Sequence, residues 1–254
     1  MIDHALTMHD PRARFVDETR VDRIRAVIFD MDGLLLDSER VAVSLFAEAA
    51  ETLDLPWRHE VGLAMVGLNS RDSDAVIRRE LGDDYPVLQL REAFGERYEA
   101  AIAARRIPLK PGVNEVFDRL DAIGLPRAVA TSTRRSRALP KLDAVGLLSR
   151  VHTVVCGDEV ARGKPAPDIF LAAARALGVA PADCLVLEDS NAGVRGALAA
   201  GMRPVMIPDL LQPDDDVLAA GVPLRENLHR IAELFGEFID GSSVAAQTFI
   251  TRPA

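Results

Sequence analysis

The chain has 254 residues, 30 Lys and Arg against 39 Asp and Glu for a net charge of −9, and 48% hydrophobic content, enough for one large domain or two unequal ones with a filled core. Its acidic balance repels a polyphosphate backbone, which argues against a nucleic-acid partner. No run approaches the roughly 18 consecutive apolar residues of a membrane span, and His4, Asp10 and Asp17 interrupt the stretch where a secretion signal would be apolar, so a cytoplasmic protein without a membrane partner is expected.

Residues 1–21 mix charges without a sustained period and carry Pro11, as a peripheral N-terminal arm would. A strand is expected at 25–30, where the apolar run Ala26-Val27-Ile28-Phe29 ends in Asp30-Met31-Asp32-Gly33. Burying two bare acids costs several kcal/mol. A turn beginning at Asp30 would let its carboxylate and a following backbone carbonyl meet one cation, whereas turn chemistry alone also favours a solvated Asp-x-Asp-Gly.

From 38 to 108 the pattern is helical, with Leu45, Phe46, Ala49, Ala50 and Leu53 spaced for one face and no strand signal between. This reads as a smaller all-helical domain, tethered near Asp37-Ser38 and Pro108-Gly112 to a core made of 22–37 and 109–237. In that core, strands at 127–132, 151–156, 184–189 and 204–208 alternate with helices at 112–123, 134–146, 167–177 and 191–200. Such alternation means an α/β fold, a Rossmann-like parallel sheet covered by helices. Asp168 or Pro167 can open one helix, Gly178 can close it, Asn191 can cap the next and Gly201 can end that one. Asp214-Asp215-Asp216 reads as a solvated loop, and 238–254 as a less patterned C-terminal tail. Cys156 and Cys184 stand alone at strand edges, as reduced structural residues do.

Open parallel sheets bind ligands beyond the carboxyl ends of their strands. The polar groups here gather at such ends: Asp30, then Thr131 in Val129-Ala130-Thr131-Ser132-Thr133, Lys164 in Gly163-Lys164-Pro165-Ala166-Pro167-Asp168, and Glu188-Asp189-Ser190 after Val186-Leu187. Thr131 is suited either to hydrogen-bond an anion or to cap the next helix. Arg134, Arg135 and Arg137 begin a helix, where cations gain nothing from the helix dipole; they serve either a second anionic group or a solvated face. The five histidines lack metal-ligand spacing, and there is no Gly-x-x-x-x-Gly-Lys, Gly-x-Ser-x-Gly or Gly-x-Gly-x-x-Gly.

In this order the four segments resemble the haloacid dehalogenase superfamily of phosphotransferases, over about residues 22–210, specifically the helical-cap branch that contains β-phosphoglucomutase and small sugar-phosphate phosphatases. The resemblance implies Asp30 as nucleophile, Asp32 as general acid/base with its carbonyl on a metal, and Lys164 as the cation offsetting nucleophile and phosphate. It makes Asp189 a direct metal ligand and Glu188 an acid holding a metal-bound water, a hard oxygen set that suits Mg²⁺. The proton swap asked of Asp32 calls for a carboxyl pKa nearer neutrality. Thr133, Arg134 and Arg135 correspond to a loop that contacts the substrate's non-reacting phosphate. The segment 67–73, with Asn69 and Arg71, resembles the specificity loop of the cap.

Two positions depart from the mutase pattern: Ser70 stands where it has an arginine and Ala42 where it has a histidine. Losing contacts that hold a bisphosphate shifts the expectation to hydrolysis of a small phosphorylated metabolite by a monomer or weak dimer, with a mutase as the alternative and a non-catalytic module as a third reading. Halide displacement would not need Asp32. A Schiff-base role would want a cap lysine, and 38–96 contains none.

Overall fold

The structure, a computed structural model, describes residues 24–68 and 70–239. Strands β1 (Ala26–Phe29), β2 (Arg127–Thr131), β3 (Thr153–Cys156), β4 (Cys184–Glu188) and β5 (Arg203–Met206) form one parallel sheet in the order β3-β2-β1-β4-β5. Strand β1 lies at its centre, with Phe29 in register with Val129 on one side and Leu187 on the other. All four β1 residues are buried, which explains why the strand is an unbroken apolar run instead of an alternating one. The chain order reverses between β1 and β4, so the crevice at their carboxyl ends is the topological switch point.

Each sheet face has its own core. Val27, Phe29, Val129 and Leu187 pack with Phe117 and Leu120, while Ile28, Ala130 and Val186 pack with Ile169 and Phe170. Burying a side chain such as Phe117 is worth about 1.5–3 kcal/mol. Its ring lies 5.1 Å from that of Phe29. Helices α5 (Val113–Ala122), α6 (Arg135–Ala144), α7 (Asp168–Leu177) and α8 (Asn191–Ala199) follow the expected order with ends shifted by one or two residues.

Four helices separate β1 from α5: α1 (Ser38–Thr52), α2 (His59–Ala64), α3 (Ser70–Leu81) and α4 (Val87–Ala103). They bury a separate cluster that includes Phe46, Ala50, Val61, Ile77 and Leu90. The rings of Phe46 and Phe94 stack at 3.8 Å. None of the helices among the described residues is long and apolar enough to cross a membrane.

Local chemistry corrects several expectations. Helix α8 is capped by Ser190, whose hydroxyl accepts from the Gly193 amide at 3.1 Å, while Asn191 instead bonds the backbone at Gln212 and Asp214. Asp214 precedes a short helix, α9 (Asp215–Ala219), and Asp214 and Asp216 both pair with Arg195 of α8; the acidic run is exposed to solvent as expected, but it opens a helix tied to α8 instead of forming a loop. The last helix, α10 (His229–Ile239), includes residues 238 and 239 of the supposed tail; 240–254, like the arm at 1–21, lie outside the described residues. Cys156 and Cys184 are buried and unbridged.

Gly112 opens α5 with φ of 89°, and a Cβ there would strike the backbone where α10 begins, at Leu228 and His229. Gly112→Ala should therefore lower stability by about 2–4 kcal/mol through positive-φ strain and overpacking together. Urea unfolding checks this, and an unchanged midpoint would show that α10 yields freely.

Candidate active site

Asp30 continues the line of β1: its amide donates to the Leu187 carbonyl at 3.0 Å, which fixes the carboxylate at the sheet's carboxyl edge. It is only 7% exposed. Lys164 reaches it from the loop ahead of α7. Its ammonium donates to Asp30 Oδ1, to Glu188 Oε1 at 2.6 Å and to the Ala130 carbonyl at 3.0 Å, so all three N–H groups are used. Below it lies the Phe170 ring, 5.1 Å away. The other oxygen of Glu188 accepts from the Ser190 amide and hydroxyl, each at 2.9 Å. Gly193 follows one turn later, and a Cβ there would fall on the Glu188 carboxylate. Asp189 faces the loop after β1, where Gly33, at φ of 92°, leaves room that any Cβ would take from its carboxylate.

Electrostatics at this edge are dominated by crowding. Burial, reinforced by Glu188 and Asp32 and only partly opposed by Lys164, pushes Asp30 up to about 7. Asp189 is also pushed well above the carboxylate range, by burial first and then by Glu188 and Asp30. Burial alone would lower Lys164, but the carboxylates of Asp30 and Glu188 outweigh it and hold it firmly protonated. Three buried acids thus share one buried cation. A hard divalent cation fits that imbalance and the all-oxygen donor set. Among the described residues no group of three or more His, Cys, Asp or Glu is disposed to hold a metal, so such an ion would rest on two carboxylates, with backbone, water and substrate oxygens completing it.

Asp32 belongs to a different set of contacts. Its Oδ1 accepts from Ser38 Oγ at 2.5 Å and Lys141 Nζ at 2.8 Å, and its Oδ2 from Thr133 Oγ1 at 2.6 Å. Burial raises its pKa, but the charge and hydrogen bond of Lys141, with those of Ser38 and Thr133, outweigh it and leave the carboxyl below its ordinary value. The expectation of a near-neutral carboxyl is therefore wrong for this state: the sequence shows the acid but not its three donors. Thr131 is 1% exposed, and its hydroxyl accepts from the Thr133 amide at 3.1 Å.

These groups border one cavity of about 1240 Å³ between the sheet edge and α1–α4, with Asp30, Asp32, Thr131, Thr133, Lys164 and Asp189 on its wall. Glu188 lies fully buried behind that wall, both oxygens committed to Lys164 and Ser190. Arg134 borders the cavity and Arg135 does not: one residue on, its guanidinium turns back to the Val154 carbonyl at 3.3 Å and Glu159 at 3.1 Å. Arg71 is exposed on α3 and is not on the wall, and Asn69 lies outside the described residues. Ala42 does line the cavity, as do Glu39, Tyr98 and Lys141, which motif reasoning passed over. Glu39 is pushed up to about 7 by burial, then by Asp209 and Asp32. Helical phase could have found Lys141, since it shares the apolar face of α6 with Ala138 and Leu142.

The match of residues 24–201 to the haloacid dehalogenase-like hydrolase family covers all four of these strand ends. The chain is 38% identical over 208 residues to Protein CbbY of Rhodobacter capsulatus, covering 78% of this chain and 91% of the relative. It is 29% identical over 182 residues to the phosphorylated carbohydrates phosphatase of Thermotoga maritima, covering 72% and 84%. To the β-phosphoglucomutase of Bacillus subtilis it is 28% identical over 221 residues, covering 84% and 95%. The crystal structure of CbbY from Rhodobacter sphaeroides with phosphate superposes with a TM-score of 0.66 at 27% identity, over 82% of this chain and 96% of that one. The chain belongs to the haloacid dehalogenase-like hydrolase family.

Removing one partner from a buried ionic cluster leaves uncompensated charge, at a cost of about 3–5 kcal/mol. Lys164→Ala should therefore destabilise the protein by about that amount at pH 7.5. Denaturant titration measures it, and a loss under 1 kcal/mol, taken as about the value of an exposed ion pair, would contradict the cluster.

Proposed function

We propose that the enzyme hydrolyses a small phosphorylated metabolite of the sugar-phosphate kind, by way of an aspartyl-phosphate on Asp30, with Mg²⁺ as cofactor and α1–α4 as the cap domain over the site. The observation that carries this reading is the convergence of Asp30, Asp32, Thr131, Lys164 and Asp189, from four separate segments, on one cavity. Such a protein works in the cytoplasm as a monomer or weak dimer, without nucleic acid or membrane.

Lys164 occupies Asp30 Oδ1, which leaves Oδ2 to attack phosphorus. Asp32, which its three donors hold ionised before substrate enters, takes up a proton with the incoming phosphate monoester; as the new P–O bond forms and the bond to the alcohol oxygen breaks, it passes that proton to the departing oxygen. Water then attacks the same phosphorus while Asp32 takes its proton, releasing phosphate and restoring Asp30. Thr131 and Thr133 line the cavity where phosphoryl oxygens would lie, and Lys164, beside Asp30, offsets the charge they bring. The carboxylates of Asp30 and Asp189 and the Asp32 carbonyl would hold Mg²⁺, which would supply the positive charge that lets two anions approach.

Hydrolysis is favoured over isomerisation by the far wall. Ala42 offers no hydrogen bond there, Arg71 is not on the cavity wall, and Arg91, which is, pairs with Asp74 at 2.7 Å, so the grip a bisphosphate needs while it turns over is reduced on this side. Phosphorus NMR of a hexose monophosphate, with Mg²⁺ and a bisphosphate primer, should show inorganic phosphate accumulating without an isomeric hexose phosphate. Isomer forming faster than phosphate would establish the mutase instead.

The metal assignment has a readout apart from turnover. Mg²⁺ should raise the melting temperature of the wild type, and Asp189→Asn should abolish most of that rise. An equal rise in both would remove Asp189 from the site.

A further inference from the structure

Only three of the 30 basic residues are lysines, and none is spent on the open surface. Lys164 holds Asp30 and Glu188, Lys110 holds Asp209 at 2.6 Å, and Lys141 holds Asp32 at 2.8 Å. Elsewhere the chain uses arginine for every cation. A compact ammonium on a flexible stem is kept where a broad guanidinium fork would not fit.

Of the three, Lys141 is in no motif, yet its side chain is only 4% exposed. It projects from the apolar face of α6, between Ala138 and Leu142. A leucine there would complete that face without the several kcal/mol that burying a charge costs. Its stem crosses the core, and its ammonium emerges at Asp32 and 4.9 Å from the centre of the Tyr98 ring. Tyr98 is thus packed against the ammonium that holds the acid, and Ser38 donates to the same Asp32 Oδ1 at 2.5 Å. The acid is held directly from α6, from the start of α1 and, through Thr133, from the loop after β2, while Tyr98 brings α4 of the helical insertion against Lys141.

We propose that Lys141 is a positioning residue for Asp32: with Tyr98 it fixes the direction in which the carboxyl faces the cavity, and so ties proton delivery to the docking of α4 on the core. This rests on the reading of Asp32 as the acid/base group and adds what aims it. Lys141 does not touch the phosphoryl group, since Lys164 serves that end of the site. Its removal should spare binding and impair proton delivery to the leaving oxygen.

Leaving-group dependence separates that effect from a general loss of structure. An alkyl phosphate needs a proton on its departing oxygen, whereas p-nitrophenolate departs without one, so an acid's contribution shows in the ratio of the two kcat/KM values. Positioned acid catalysis contributes ~10²–10⁴-fold. Lys141→Met should lower kcat/KM for glycerol phosphate at least ~10-fold, with p-nitrophenyl phosphate nearly unaffected, and Tyr98→Phe should show the same pattern more weakly. Lys141→Gln, which keeps a hydrogen-bond donor, serves if the Met variant does not fold. In an Asp32→Asn background, Lys141→Met should add almost nothing.

Equal slowing of both esters, or a full additional loss in the Asp32→Asn background, would overturn the proposal. If Asp32→Asn itself fails to discriminate between the esters, the acid assignment falls and takes the proposal with it. If Asp32→Asn discriminates and Lys141→Met does not, only the positioning role falls.

Discussion

The ammonium of Lys164 is the contact on which the site depends. It lies between two carboxylates at the ends of β1 and β4, strands far apart in the sequence but adjacent in the sheet, and it also bonds the end of β2 through the Ala130 carbonyl. Without a cation at that point, Asp30, Glu188 and Asp189 would be three buried acids facing one another, and at least two would have to take up protons or the edge would have to open. The same contact spends one oxygen of Asp30 and directs the other toward the cavity.

The arrangement around it divides the work. Two acids separated by a single residue each have a lysine of their own, from different elements: Lys164 of the loop ahead of α7 for Asp30, Lys141 of α6 for Asp32. The division has opposite electrostatic results: burial, then Glu188, pushes Asp30 up to about 7, whereas three donors outweigh burial at Asp32 and hold it low. A bound cation would lower Asp30 and an incoming phosphate would raise Asp32, which is the order a nucleophile and an acid need. Glu188 serves this division from behind the wall, anchored on Ser190 at the start of α8.

Much of this was legible in the sequence, for a physical reason: β1, β2 and β4 are buried on both faces, so their ends are marked by an abrupt change from apolar to polar residues, and Asp30, Thr131, Glu188 and Asp189 are those changes. The direction of a side chain on a helix was not legible where charge density was uniform. Arg134 and Arg135 read alike, yet a rotation of one residue sends the second to Glu159. Lys141 was overlooked because motif reading stops at strand ends, while its own signal is a charge out of place on an apolar helical face. The helix opening at Asp214–Asp216 was missed because it is tied to Arg195, nineteen to twenty-one residues away, and no local pattern encodes that pairing.

The central claim is that phosphate passes through Asp30, and the most direct measurement is to identify the carboxyl that carries it. Enzyme mixed with an excess of substrate and Mg²⁺, quenched in acid during turnover, reduced with borohydride and mapped by mass spectrometry should show reduction at Asp30 alone. Phosphate release with no reducible acyl phosphate at Asp30, or with the label on another carboxyl, would contradict the account.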